Sequence, residues 1–153
     1  MTVYTAANAE DGRIPVSASQ AGIVCANKGV FETTASLETD DLIILCKVPA
    51  EHTILNAYLD CDDLDSGSAL VLTAGQVNAG KTALEAVAYD LMTDETVAQA
   101  GGRKEMDLPS QPLLGPSSSE RFFGVQVDAG QGGAEKLGTI SLTILYTAQE
   151  FGV

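Results

Sequence analysis

The sequence predicts a mainly β fold, an antiparallel β-sandwich with jelly-roll or Greek-key connections and one short helix. Residues 41–74 contain the first evidence, because the apolar run at 42–48 precedes an alternating segment at 52–61 and a third apolar run. Two later segments, 123–127 and 140–146, also alternate between apolar and polar residues. With seven to nine such short segments and no internal repeat, the chain favours two packed sheets.

The central segment 41–74 indicates three consecutive strands. Pro49 ends the first, and the second places one set of side chains on a single face: Leu55, Ala57, Leu59 and Cys61. The turn at 62–68 contains Asp, Ser and Gly, which bond their own backbone or accept positive φ. Three strands joined by short turns predict an antiparallel meander.

The flanking segments complete the predicted organisation. We expect residues 1–20 to form an N-terminal arm or edge strand and residues 21–153 to form a single sandwich domain. Two short strands around Asn27-Lys28-Gly29 predict a tight hairpin. Rough helical periodicity over residues 82–99, followed by two glycines, predicts the one helix. Residues 103–120 contain three prolines and four serines, which predict a long irregular loop.

Composition excludes several classes of function. The net charge is −13, from 21 acidic and 8 basic residues, and such a surface repels phosphate backbones, so we expect no nucleic-acid partner. No apolar stretch approaches the ~18 residues that span a membrane. The opening residues do not combine a basic region with an apolar one, so we expect no cleaved secretory signal. Cys25, Cys46 and Cys61 lack metal-binding spacing, which favours reduced, buried thiols in a protein made in a cytoplasm.

Four segments together resemble a family of small structural proteins of tailed bacteriophages. Residues 41–50 have the form Asp, apolar residues, Cys, Lys, Val, Pro and Ala, and residues 54–67 end in Asp-Asp-Leu-Asp-Ser-Gly. The resemblance continues at residues 96–102 and at residues 138–146. It covers about two thirds of the chain in order, and it includes no catalytic residue.

The resemblance implies a non-enzymatic virion component with a jelly-roll-like sandwich and no cofactor. The function it implies first is a capsid decoration (cement) protein on the outer surface of the head, made in the bacterial host cytoplasm. Its partners would be the major capsid protein and copies of itself. A tail or neck component is the alternative within the same class.

One motif indicates a different class, a small P-loop protein that binds a Mg-nucleotide. Residues 75–82 match G-x-x-x-x-G-K-[ST], between an apolar strand and the predicted helix. Gly75 and Gly80 would shape a phosphate cradle, Lys81 would contact the β- and γ-phosphates, and Thr82 would hold Mg²⁺. Alternating strands and a single helix argue against it, because a P-loop fold needs a parallel sheet covered on both faces.

An acidic cluster and a single histidine are further candidate sites. Asp60, Asp62, Asp63 and Asp65 form the densest acidic cluster. An EF-hand starting at Asp60 would place leucine and valine where oxygen ligands belong, which leaves a looser calcium site or a solvated turn. His52 is the one histidine, and no triad spacing accompanies it, so the sequence indicates a surface histidine at the start of a strand.

Overall fold

The computed structural model of the protein describes residues 1–6, 9, 23–86, 89–106 and 115–148. Nine strands lie in these ranges: β1 (Val3–Thr5), β2 (Val24–Glu32), β3 (Leu42–Val48), β4 (His52–Cys61), β5 (Val71–Gln76), β6 (Asp90–Glu95), β7 (Gly102–Glu105), β8 (Arg121–Ala129) and β9 (Thr139–Ala148). One turn of 3-10 helix spans Val97–Gln99, and the described residues contain no α-helix.

The strands form two sheets. A five-stranded sheet has the order β1-β3-β8-β5-β6, and a four-stranded sheet has the order β2-β9-β4-β7. All pairings are antiparallel except that of β1 with β3, which is parallel. Buried side chains from both sheets form one large hydrophobic cluster. The predicted antiparallel β-sandwich is therefore confirmed.

Every residue of β3 is buried, as its continuous apolar run predicts. One side of the strand faces the large cluster between the sheets. On the other side, Leu42 and Ile44 pack with Val77 and with the partly buried Leu84 and Phe122. This second, smaller cluster covers the outer side of the five-stranded sheet at β3, so the sheet has two buried sides there.

The predicted meander is wrong, although its three strands form where the sequence places them. β3 and β5 both pair with β8, whereas β4 lies in the opposite sheet and pairs with β9 and β7. Consecutive strands thus cross between the sheets. The alternation of a strand shows which of its faces is buried. It does not show which strand pairs with it, so the same pattern is compatible with consecutive strands in one sheet or in two opposite sheets.

The predicted face of β4 is correct only after Leu55. A register shift between Ile54 and Asn56 leaves Leu55 as an extra residue, so Ile54 faces the core while Leu55 is 44% exposed. Beyond the bulge, Ala57, Leu59 and Cys61 are buried as expected. The bulge therefore moves one leucine from the predicted core to the surface.

The helix predicted over residues 82–99 is also wrong in the described part of that segment. Val77 pairs with Leu84, and the amide of Glu85 donates to the carbonyl of Gln76 at 2.7 Å, so the chain folds back along the end of β5. Asp90–Glu95 then forms β6 at the edge of the sheet. Pairing with β5 and burial of its apolar residues outweigh the helical propensity of a segment rich in Ala and Leu.

The hairpin predicted at residues 27–29 does not form, because β2 runs unbroken from Val24 to Glu32 against β9. Gly29 serves a close approach instead of a turn. A Cβ atom built there would lie 1.9 Å from the carbonyl oxygen of Leu45 in β3. The glycine allows the two sheets to approach closely at this side of the sandwich.

The predicted N-terminal arm and the predicted loop at residues 103–120 are only partly described. In the N-terminal arm, β1 pairs with β3, and the amide of Thr2 donates to Asp41 Oδ1 at 2.7 Å; residues 7–8 and 10–20 lie outside the described residues. In the predicted loop 103–120, the first residues belong to β7, and residues 107–114 lie outside the described residues. No helix among the described residues is long and apolar enough to cross a membrane.

Candidate functional site

The motif at residues 75–82 forms a turn between strands. Gly75 lies within β5, and the chain turns at Asn78, whose carbonyl accepts the amide of Lys81 at 2.9 Å. The side-chain oxygen of Asn78 accepts the amide of Thr82 at 3.0 Å. A phosphate loop needs amides that point at the ligand and a helix that starts behind them, whereas these two amides close the turn.

The side chains of the motif also point to a local role. Lys81 Nζ lies 4.0 Å from the centroid of the Phe122 ring, which places the cation over the aromatic face. Lys81 has a φ of 55°, and Thr82 Oγ1 accepts a hydrogen bond from Asn78 Nδ2 at 3.2 Å. Gly80 lies in the same turn, near Thr82 and Asn78. This geometry favours a turn that is fastened to β8 and does not favour a nucleotide site.

The four aspartates of the acidic turn each interact with different partner residues. Asp60 accepts from Arg103 Nε at 2.6 Å, Asp63 pairs with Lys136, and Asp62 accepts the amide of Thr139 at 2.8 Å. They do not converge on a common point, and no group of three or more acidic, His or Cys residues in the described ranges is placed to hold a metal ion.

Asp65 is the organising residue of this turn. Its carboxylate is buried and accepts four backbone amides, those of Gly67 (2.9 Å), Ala69 (2.8 Å), Leu70 (2.7 Å) and Gly132 (3.0 Å). Burial alone would raise the pKa of Asp65, but these amides favour the charged form and hold its pKa below the ordinary value. The run Asp-Asp-Leu-Asp-Ser-Gly therefore joins the end of β4 to the loop between β8 and β9.

His52 lies at the start of β4, as predicted, but the predicted surface position is wrong because the side chain is buried against Tyr146. Its Nδ1 atom lies 2.7 Å from the carbonyl oxygen of Ala50, and its ring meets the edge of Tyr146 at a centroid distance of 5.4 Å. Its own carbonyl accepts a hydrogen bond from Arg121 at 2.8 Å. These contacts give the histidine a structural position at the strand start.

The cysteines are free and buried, as the sequence predicts. Burial raises the pKa of Cys46 to about 12, and it raises that of Cys61 to about 12 with added repulsion from Asp60 and Asp62. Both thiols therefore stay protonated and unreactive at neutral pH.

A cleft on the outer side of the five-stranded sheet was not anticipated from the sequence. It has a volume of about 510 Å³, and its lining includes Glu85, Asp90, Asp94 and Asp128. Burial, with repulsion from Asp128, raises the pKa of Asp90 to about 6. Burial also raises the pKa of Asp128, although the hydroxyl of Thr73 donates to it at 2.6 Å. This side of the sandwich is therefore strongly acidic.

The acidic cleft could not be found from spacing. Asp90 begins a strand where the sequence predicts a helix, and Asp128 comes from β8. The one sequence feature that pointed to this cleft is the alternation in β8, which places Gln126 and Asp128 on the side of the sheet away from the core. Their acidic neighbours become visible only when the strand order places β5 between β8 and β6.

Comparison of the fold with solved structures identifies the class of protein. A chain in the capsid of Ralstonia phage GP4 matches with a TM-score of 0.79 and 26% identity, over 97% of this chain and 99% of that chain. The chain has the fold of a phage capsid protein. The similarity supports a structural protein of the phage virion, as the resemblance in the sequence predicted.

Two further capsid structures share this phage-capsid fold. A chain of the cyanophage Pam1 capsid has a TM-score of 0.62 and 19% identity, over 91% of this chain and 95% of that chain. A chain of the acid-stable capsid of Helicobacter pylori bacteriophage KHP30 has a TM-score of 0.56 and 10% identity, over 86% and 92%. At these identities the likeness concerns the fold alone. No protein-family profile and no curated protein sequence matches the chain.

Proposed function

We propose that this protein is a capsid decoration (cement) protein that binds the outer surface of a phage head and stabilises the shell. The observation that carries the proposal is the match to a chain of the GP4 capsid over nearly the full length of both chains. The whole sandwich, and not an inserted part, corresponds to a capsid component. The motifs that suggested nucleotide or metal chemistry have local structural roles.

Charge supports an outer position. Packaged DNA is a dense polyanion, and a protein with a net charge of −13 in 153 residues would be repelled by it at the inner wall. The acidic cleft adds to this repulsion on one side of the sandwich. The outer surface, which faces solvent, accommodates this charge at high copy number.

The mechanism would be mechanical. Each copy would bridge neighbouring copies of the major capsid protein, and a symmetric shell would repeat the same contact many times. Small contact energies then add along the lattice and resist the pressure of packaged DNA. The N-terminal segment 1–20 and the segment 103–120 are the proposed contact segments, with copies of the same chain as further partners.

The first test is sedimentation of a phage lysate on a density gradient. We expect the chain to travel with intact heads in many copies per particle. Co-sedimentation with detached tails would instead support a tail or neck component, and recovery as free protein at the top would refute a virion role. A second test adds purified chain to heads that lack it, where saturable binding and a higher temperature of DNA release are expected.

A further inference from the structure

Strand β6 lies at the edge of the five-stranded sheet, and its pairing there is irregular. Its paired positions with β5 are separated by two register shifts, and its first residue, Asp90, lies opposite Gly75. No other described strand pairs with β6. Local opening is easiest where pairing is interrupted and where a strand has a neighbour on one side only, so β6 is the strand of this sheet most prone to open.

Polar contacts fix the C-terminal end of β6. The amide of Asp94 donates to Thr73 Oγ1 at 3.2 Å, and the hydroxyl of Thr73 donates in turn to Asp128 Oδ2 at 2.6 Å. Glu95 forms an ion pair with Lys104 of β7 at 3.0 Å. Since these contacts join that end of the strand to both sheets, opening of β6 would begin at its N-terminal end.

A buried carboxyl group lies at this N-terminal end. Asp90 is 9% exposed, and a Cβ atom built on Gly75 would lie 2.7 Å from its Oδ1 atom, so the carboxyl group rests on the backbone of β5. The next two residues, Leu91 and Met92, are buried in the large hydrophobic cluster. The closed strand therefore keeps Asp90 away from water, and burial is costly for a charged carboxylate.

The charged groups that share the acidic cleft with Asp90 are all acidic. Asp128 comes from β8, Glu85 from the segment that folds back after β5, and Asp94 from β6 itself, while β5 contributes only an uncharged residue. Asp40 adds repulsion on Asp128. The described residues that line the cleft include no lysine, arginine or histidine. Ionisation of Asp90 thus adds a charge to a group of carboxylates without a cation among them.

We propose that the acidic cleft is a pH-sensitive switch that controls how often β6 opens: the strand stays paired with β5 while Asp90 is protonated and opens more often once Asp90 is ionised. Burial, with repulsion from Asp128, raises the pKa of Asp90 to about 6 in the closed strand. A raised pKa stabilises the closed form below the ordinary value of 3.8, and this stabilisation is lost as the pH rises through 6. The pKa of Asp128 is also raised, so it acts in the same direction. The inference concerns the free chain and does not depend on the decoration role.

The test is amide hydrogen exchange of the full-length chain from pH 4 to pH 8, with each rate corrected for the intrinsic rate at that pH. We expect residues 90–95 to be less protected than β9 at every pH, because they exchange by local opening. Their opening constant should rise roughly fiftyfold over this range, mostly between pH 4 and pH 7, with a plateau above. Equal protection of the two strands would show that β6 opens only with the whole protein, and it would overturn the proposal.

Variants identify the group that titrates. Asp90→Asn should remove most of the rise with pH and keep β6 protected at pH 8. Asp63→Asn is the matched control, because it makes the same change at a residue outside the cleft, and it should keep the rise. Thr73→Val removes the contact at the other end of β6, so it should increase opening at every pH and leave the rise in place. A rise that persists in Asp90→Asn would overturn the proposal.

A measurement on the unmodified chain does not depend on the folding of any variant. Nuclear magnetic resonance of carboxyl groups labelled with carbon-13 follows the titration of Asp90 directly. We expect a midpoint near pH 6. A midpoint near pH 4, or β6 protection that does not change between pH 4 and pH 8, would show that no such switch exists.

Discussion

The Sγ atom of Cys46 accepts a hydrogen bond from the backbone amide of Gly29 at 3.1 Å, and this contact joins β3 of one sheet to β2 of the other. The thiol also donates to the carbonyl of Leu142 in β9 at 2.9 Å. One buried side chain thus contacts both sheets where they approach most closely.

The first prediction concerns this approach. Gly29→Ala should lower the free energy of unfolding by about 3 kcal/mol, because its Cβ would lie 1.9 Å from the Leu45 carbonyl oxygen and the strands would have to separate. Urea denaturation measures the change. Gly115→Ala is the matched control, since nothing lies within 4 Å of a Cβ there, and it should stay within about 0.5 kcal/mol of wild type. Equal effects of the two substitutions would contradict the predicted close approach.

The second prediction concerns thiol chemistry. Because burial raises the pKa of both Cys46 and Cys61 to about 12, fewer than about one in a thousand of these thiols is ionised at pH 8. Both should resist a colorimetric thiol reagent in the folded protein, and all three cysteines should react in denaturant. A raised thiol pKa contributes stability below pH 9 and loses it as pH rises toward 12. Rapid labelling of Cys46 at pH 8 would show that it is accessible.

The third prediction concerns the acidic cleft. The pKa of Asp90 is raised to about 6, so its contribution to stability is present below about pH 4 and is lost as pH rises through 6. Asp90→Asn should therefore stabilise the protein at pH 8 by about 1–2 kcal/mol and have little effect at pH 3.5. Denaturation at several pH values tests this, with Asp63→Asn as a surface control. A gain that does not depend on pH would exclude titration of Asp90 as the cause.

The fourth prediction concerns Asp65. Asp65→Ala should cost about 3 kcal/mol or more, because four backbone amides lose their acceptor. Since its pKa is lowered, the stability it adds is present above about pH 4 and is lost as the pH falls further. Thermal unfolding at pH 7 and pH 3 measures both effects. For comparison, Asp63→Ala removes a surface pair and should cost less than about 1 kcal/mol; similar losses for the two would deny Asp65 its organising role.

The fifth prediction concerns the motif at residues 75–82. Calorimetric titration with Mg-ATP should show no saturable binding, because the amides of Lys81 and Thr82 close the turn on Asn78. Lys81→Ala should cost at most about 1 kcal/mol, the value of its contact with Phe122. Saturable binding that this substitution abolishes would instead establish the nucleotide function.

Hydrophobic patterns in the sequence locate individual strands but do not determine how the strands pair. The continuous run of β3 and the alternation of β8 and β9 located these strands, because burial on one or two sides leaves a local record. No local sequence pattern predicts the pairing of β4 with β9, since this pairing depends on which distant strand lies next to β4 in the sheet. β6 was mistaken for a helix because its stability comes from pairing at the edge of a sheet.

The functional residues show the same limit. The turn at residues 60–65 was recognised as polar, but the four separate partners of its aspartates come from segments far along the chain. The acidic cleft likewise combines residues from β6 and β8 with Glu85. A site whose residues are brought together by the order of strands in a sheet cannot be predicted from the spacing of residues in the sequence.

The position of β9 has a consequence for how the protein is made. β9 lies between β2 and β4, so the four-stranded sheet cannot assemble until residue 148 has been synthesised. During that interval β2 and β4 lack their common neighbour and present unpaired strands to other nascent chains. Contacts between such distant segments also slow folding. The chain would thus be most exposed to misassembly on the ribosome, before its synthesis is complete.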